Sequence, residues 1–202
     1  MQFQLTSDFI AQITQLIAKK DGNALRELLQ DIHFADIAEL IEELNSDQAI
    51  YLVKQLESDL TSEALMELDD DVREKILERL SPKEIAAELQ ELDTDDAADI
   101  IAELDETTQQ KVIDKIEDQE RAADIVELLN YDEDTAGALM AKELVQVKET
   151  WTVAGCVREM RRQAENVTRV HSIYVTNKEG KLTGRLSLKD LLTAEAKTKI
   201  SD

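Results

Sequence analysis

A repeat of apolar residues with a period of 12 constrains the fold of this chain more than any other feature of its sequence. Most of the repeat positions have further apolar residues three and four places before them, a spacing that puts side chains on one face of an α-helix. Nine consecutive matches indicate a true repeat rather than a chance alignment. The positions are Ile32, Leu44, Leu56, Leu68, Leu80, Leu92, Leu104, Ile116 and Leu128.

Turn and capping residues follow these apolar positions. Examples are the stretches Asn45–Asp47 and Asp93–Asp95 and the pair Ser81 and Pro82. Ser, Asn and Asp side chains accept hydrogen bonds from the first N–H groups of a helix, and Pro is tolerated in its first turn. Each unit is therefore predicted to be a helix of about eight or nine residues followed by a tight turn. Because such helices are marginal alone, we expect a superhelical bundle in which each unit buries its apolar stripe on the next.

The pattern changes near residue 141, where β-branched residues and glycines become more frequent. A strand–helix–strand–strand–helix order of this size predicts a small α/β module. The chain is thus predicted to be mainly α, with an acidic helical domain at 1–130, a junction at 131–141 and the module at 142–202. The predicted elements of the module are a strand at Leu144–Val147, a helix at Thr152–Gln163, a strand at Ser172–Thr176, a turn at Lys178–Lys181, a strand at Leu182–Leu188 and a helix from Lys189.

Charge divides the chain at the same place. Residues 1–140 hold 37 acidic and 11 basic residues, a net charge of -26, and residues 141–202 hold 8 and 12, a net charge of +4, which together give -22. This surplus argues against a nucleic-acid partner, because binding phosphates requires Lys and Arg. It also argues against an anionic membrane surface. Divalent cations and basic proteins remain as partners.

The remaining motifs favour an intracellular protein that is not an enzyme. A single cysteine, Cys156, permits no internal disulfide, and no apolar run approaches the roughly 18 residues of a membrane helix. His33 and His171 lie in different regions, so a transition-metal site is not predicted. No phosphate-binding loop, H-E-x-x-H motif or Ser/His/Asp arrangement is present in the sequence.

Several stretches resemble a known family. LDTDDAADIIAELD at Leu92–Asp105 and LLNYDEDTAGALM at Leu128–Met140 resemble the MgtE intracellular helical domain and the junction that follows it. ELVQVKETWTVAGCVREMRRQ and IYVTNKEGKLTGRLSLKDLL resemble a CBS domain. The YDEDTAGALM junction leading into a CBS pattern is the most specific of these signals. The chain resembles the cytosolic N-terminal helical domain plus first CBS module of MgtE magnesium transporters.

The resemblance implies a function, a location and partners. Family members continue with a second CBS module, a connecting helix and a membrane pore, so the chain is expected to be a fragment of such a protein. We expect these parts as its partners, in a homodimer on the cytoplasmic side of the bacterial membrane. In the family, Mg²⁺ bound between the helical and CBS domains favours the closed pore. The alternative from composition is an acidic helical scaffold that binds a basic protein.

The resemblance also assigns magnesium ligands. Asp95 and Asp99 match carboxylates that face the CBS region, and the backbone carbonyl of Gly137 matches a junction contact, although many relatives have Gly-Gly where this chain has Gly137-Ala138. Independently, Asp95 and Asp99 are four apart on one helix face, where like charges call for a hard cation. The alternative is that acidic residues at a helix start interact with the helix dipole. The run Asp69–Asp71 is expected to cap a helix.

Ser187 and Asp190 are the candidate nucleotide ligands. They occupy positions at which nucleotide-binding CBS modules contact a ribose. The alternative is that they cap the helix that begins at this point, and the sequence favours that role.

Overall fold

Short helices form the first part of the chain and a small mixed unit forms the second. The structure is a computed structural model and describes residues 3–132, 135–163 and 172–201. The predicted junction residues 133 and 134, and His171, lie outside the described residues. The chain divides into two compact units, Met1–Ala138 and Leu139–Asp202. The helices of the first unit are α1 (Ser7–Lys19), α2 (Gly22–Leu29), α3 (Phe34–Glu42), α4 (Ser46–Val53), α5 (Ser58–Glu67), α6 (Asp70–Leu77), α7 (Pro82–Leu89), α8 (Thr94–Ala102), α9 (Glu106–Ile113) and α10 (Gln119–Leu128).

Capping residues set where several of these helices begin. Asn45 and Ser81 form capping boxes with Gln48 and Glu84 at the starts of α4 and α7, and Pro82 occupies the first turn of α7. Each box satisfies N–H groups that have no partner within the helix. The helices α2 to α10 are 8 to 10 residues long, which confirms the predicted unit.

The prediction that Asp69–Asp71 caps a helix is wrong in its chemistry. Asp69 lies at the N-cap of α6 but makes no side-chain cap hydrogen bond. The carboxylate of Asp70 instead lies 2.7 Å from the guanidinium of Arg73, three residues along the same helix. Asp70 is the first residue of α6, so its side chain lies beside Arg73 on the same helix face and forms a charge-assisted bond with it.

Each helix of the repeat packs on the helix two places further along. Thus α3 contacts α5, α5 contacts α7 and α7 contacts α9, while α4 contacts α6 and α8 contacts α10. This confirms the superhelical arrangement. Burial is deep three and four residues before four of the repeat positions, where these side chains are at most 3% exposed: Leu40, Ile41, Leu52, Val53, Ile76, Leu77, Ile100 and Ile101.

Most of the repeat positions themselves lie just after the end of a helix, at the edge of the core. Five of them are buried and four are partly exposed. None is fully exposed, in agreement with the predicted repeat. The buried positions are Leu68, Leu80, Leu92, Ile116 and Leu128.

Arginine side chains connect parts of the helical unit that are about 30 residues apart in sequence. The guanidinium of Arg73 donates to Glu103, 30 residues later, at 2.6 Å, and also to the backbone carbonyls of Leu65 and Leu68 at 3.3 and 3.1 Å. Arg121 likewise donates to the carbonyls of Leu89 and Leu92. These carbonyls lie at the C-terminal ends of α5 and α7, where the helix has no N–H to offer them.

The second unit is a three-stranded sheet with two helices. Strand β1 pairs in parallel with β2, β2 pairs antiparallel with β3, and the core contains Val145, Val147 and Cys156. The predicted order is confirmed, but the predicted third strand extends too far, because the chain turns at Ser187 to begin a helix. The elements are β1 (Val145–Lys148), α11 (Val153–Gln163), β2 (Ile173–Thr176), β3 (Leu182–Leu186) and α12 (Leu188–Thr193).

Replacing Leu92 by Ala tests whether the repeat positions carry stability. Leu92 is 6% exposed at the end of α7, so we expect Leu92→Ala to lower the free energy of unfolding by about 2–5 kcal/mol. Urea unfolding would measure this change. Val126→Ala on α10, at a side chain that is 40% exposed, is the control and should change stability by less than about 0.5 kcal/mol. Equal losses in the two variants would contradict the repeat.

Candidate functional site

The start of α8 places several carboxylates together. Helix α8 buries Thr94, Ala97 and other small or apolar residues on its inner side. Asp95 and Asp99, four residues apart, lie on one face, with Asp95 partly buried and Asp99 exposed. Asp93 stands at the N-cap of α8 without a side-chain cap hydrogen bond. Capping therefore does not account for this acidic group.

The pKa of Asp96 depends on its burial and on the charges around it. Burial, and after it the negative charges of Asp95, Asp93, Asp99 and Glu63, raise the pKa of Asp96 to about 6. An aspartate whose pKa rises by two units lies where negative charge is unfavourable. Burial is the larger cause at Asp96, and the surrounding carboxylates add to it.

Glu63 is a member of this acidic group that the sequence reasoning missed. It lies on α5, and it adds to the negative charge acting on Asp96. The two residues are 33 positions apart, close to the separation of about 30 that the Arg73–Glu103 ion pair also shows. The period of 12 residues does not give this separation, so no signal in the sequence pointed to Glu63.

Asp95 has an orphaned acceptor. Its Oδ1 atom is shielded from solvent and has no hydrogen-bond partner among the residues that the structure describes. Leaving a buried carboxylate oxygen unpaired is costly, and a hard cation with a preference for oxygen ligands would satisfy it. Within residues 3–132, 135–163 and 172–201, no group of three or more His, Cys, Asp or Glu side chains is arranged to hold a metal ion. Asp95 therefore fits a cation, but these carboxylates do not form a closed cage.

Gly137 lies in a turn of the junction, after the end of α10. A Cβ atom at Gly137 would lie 2.4 Å from the ring of Tyr131, so the backbone approaches this ring more closely than any other residue would allow. Glycine, which has no Cβ, is the residue that permits such an approach. Because α10 packs on α8, the chain that leads to Gly137 starts from the helix beside Asp95 and Asp99.

The candidate nucleotide ligands cap a helix. Ser187 Oγ accepts a hydrogen bond from the backbone N–H of Asp190 at 3.1 Å and lies 2.7 Å from Asp190 Oδ2. Both residues are exposed. They belong to the α/β unit, whereas Asp95, Asp99 and Gly137 belong to the helical unit.

Comparison with known proteins identifies both units. The family model of the MgtE intracellular N domain matches residues 32–134, and that of the CBS domain matches residues 136–197. The chain belongs to the MgtE family. The resemblance predicted from the sequence is confirmed.

Curated relatives share part of this MgtE sequence. The magnesium transporters MgtE of Thermus thermophilus, Enterococcus faecalis and Bacillus subtilis are 41%, 35% and 33% identical to it over 75 residues. Each match covers 37% of this chain and 17% of the relative. The chain therefore matches a small part of the length of these transporters.

Solved structures share the fold over nearly the whole chain. The cytosolic domain of the Mg²⁺ channel MgtE in complex with ATP matches with a TM-score of 0.86 and 32% identity, covering 95% of this chain and 78% of that one. The soluble part of a magnesium transporter matches with a TM-score of 0.78 and 26% identity, covering 95% and 75%. In the part of the chain that the structure describes, no helix is long and apolar enough to cross a membrane.

Replacing Asp96 by Asn should stabilise the helical unit at neutral pH. Because the folded-state pKa of Asp96 is raised from 3.8 to about 6, its stability contribution is complete below pH 3.8 and is lost as the pH rises through 6. We expect Asp96→Asn to raise the free energy of unfolding at pH 7.5 by about 1–2 kcal/mol, since water screens part of the effect. Urea unfolding at several pH values would measure it. An advantage that persists below pH 3.8 would contradict this explanation.

Proposed function

We propose that this chain is the cytosolic magnesium-sensing region of a magnesium transporter or channel, and that bound Mg²⁺ favours the closed pore. The observation that carries the proposal is the Oδ1 atom of Asp95. This atom belongs to the group of carboxylates at the start of α8, is shielded from solvent and has no hydrogen-bond partner within the described residues. Membership of the MgtE family and the names of its relatives support the choice of metal.

Asp95 and Asp99 supply carboxylate oxygens to the ion, and the carbonyl of Gly137 is a further ligand. Residues 1–140 carry a net charge of -26, so these carboxylates repel one another and any acidic neighbour. A divalent ion bound by these carboxylates offsets their mutual repulsion. Binding then selects the compact state to the extent that the ion binds it more tightly than the extended one.

The partners of the chain follow from the same function. They are a second CBS module, the transmembrane domain and a second copy of the protein. On the α/β unit, Tyr174, Leu182 and Leu192 are 38%, 60% and 81% exposed. These exposed apolar side chains are available for contact with a second CBS module.

A magnesium titration by isothermal calorimetry tests the site. We expect binding in the range of about 10⁻⁴–10⁻³ M, as is common for open carboxylate sites. Replacing both Asp95 and Asp99 by Asn should weaken it at least about tenfold, since the ion loses two charged ligands. The matched control replaces Asp69 and Asp71 by Asn, because both are exposed carboxylates and the charge change is the same.

The outcomes of this titration separate a site from general charge screening. If the control weakens binding as much as the test variant, Mg²⁺ only screens the acidic unit and the proposal is wrong. Calcium is expected to substitute, whereas sodium at matched ionic strength should give no saturable heat. A saturable sodium response would also contradict the proposal.

Nucleotide binding is a second candidate function. It is favoured by the match to the MgtE cytosolic domain solved in complex with ATP. Ser187 and Asp190 are the residues proposed to contact the nucleotide, because a carboxylate and a hydroxyl accept hydrogen bonds from ribose hydroxyls. Binding would use the carboxylate oxygens of Asp190 that Ser187 does not engage.

An ATP titration with Asp190→Ala tests this second function. We expect the loss of the ribose acceptor to weaken ATP binding about tenfold. Glu179→Ala, which removes another exposed carboxylate from the same unit, should leave the affinity unchanged. Equal affinity for wild type and Asp190→Ala, with unchanged circular dichroism, would assign Ser187 and Asp190 to capping alone.

A further inference from the structure

A second carboxylate with an orphaned oxygen lies away from the α8 group. Glu88 lies on α7, and its Oε2 atom is shielded from solvent and has no hydrogen-bond partner in the described part of the chain. Ser58, the first residue of α5, donates a side-chain hydrogen bond to the same carboxylate. Because α5 packs on α7, Glu88 belongs to the contact between these two helices.

Two carboxylates, one on α7 and one just after it, oppose ionisation of Glu88. Glu84 and Glu91 both add negative charge to its surroundings. Glu84 is an ion-pair partner of Lys54, with the Nζ–Oε1 distance at 2.7 Å, so this cation already acts on another carboxylate. Burial, the Glu91 charge and the Glu84 charge together outweigh the Ser58 hydrogen bond and raise the pKa of Glu88 to about 7.

The charges that act on the Glu88 carboxylate are those of Glu91 and Glu84, although Arg121 of α10 donates to the backbone carbonyl of Leu89, the next residue. The charged residues of α5 are all acidic, and α9, which also packs on α7, contains one acidic and one basic residue. Ionised Glu88 would therefore lie in an acidic, partly desolvated contact, and its neutral form is the one that fits there. The residues concerned are Asp59, Glu63 and Glu67 on α5 and Glu106 and Lys111 on α9.

We propose that Glu88 is a proton-dependent switch in the α5–α7 contact, neutral when the two helices pack tightly and ionised when that packing is weakened. The folded state holds the proton more firmly than the unfolded state. The stability that this provides is complete below pH 4.5, the ordinary range for Glu, and is lost as the pH rises through about 7. The helical unit thus responds to pH in the range close to neutrality.

Urea unfolding of the full chain at pH 6 and pH 8 tests the switch. For a carboxyl with a folded-state pKa of about 7, the unfolding equilibrium constant rises up to about tenfold between these two pH values. In Glu88→Gln, which keeps the neutral shape, this part of the rise should vanish. Glu74→Gln, at an exposed position on α6, is the matched control and should keep the wild-type rise.

The comparison between variants isolates Glu88 from the other acidic groups, since Asp96 titrates in all of them. An equal rise in wild type and Glu88→Gln overturns the proposal. A carbon-13 titration of the Glu88 side-chain carboxyl in the wild-type chain provides a test that needs no variant. A midpoint near 7 supports the switch, and a midpoint near the ordinary value of 4.5 overturns it.

Discussion

The helical unit depends on satisfying the ends of helices that are too short to be stable alone. Nine of its helices have 8 to 10 residues, so a large share of their backbone groups lies in first or last turns. Arg73 shows how the unit meets this need. One guanidinium binds two carbonyls at the end of α5 and the carboxylate of Glu103, 30 residues later. Hydrogen bonds of this kind fix both the helix end and its distance from the next turn of the superhelix.

The scarcity of basic residues in the helical unit explains why its acidic side chains cluster together. Residues 1–140 contain 37 acidic and 11 basic side chains, and Arg73, Arg121 and Lys54 take part in connections between helices. Where such a cation is near, a carboxylate is stabilised: Lys54 and Ser81 lower the pKa of Glu84 to about 2. Where the neighbours are other carboxylates and the group is partly buried, the pKa rises, as it does for Asp96 and Glu88.

The acidic side chains fall into two groups, those in ion pairs and those with a buried, unpaired oxygen. Glu84 and Glu103 belong to ion pairs that hold turns of the superhelix together. Asp95 and Glu88 each have an oxygen that is shielded from water and lacks a hydrogen-bond partner among the described residues. The proposed ligand is a cation for Asp95 and a proton for Glu88. The proposed magnesium response and the proposed proton response both rest on this difference in local environment.

The sequence by itself determined the repeat, the length of its helices and the order of the α/β module, because apolar spacing and capping residues such as Asn45 and Ser81 act within one helical turn. It also led to the family through the junction around Gly137. Only the tertiary structure decided that Arg73 pairs with Glu103 and that Glu63 and Glu88 lie in acidic, partly buried surroundings. Burial and electrostatic potential depend on residues about 30 positions apart that packing brings together, and a linear sequence does not state which of its many carboxylates will meet.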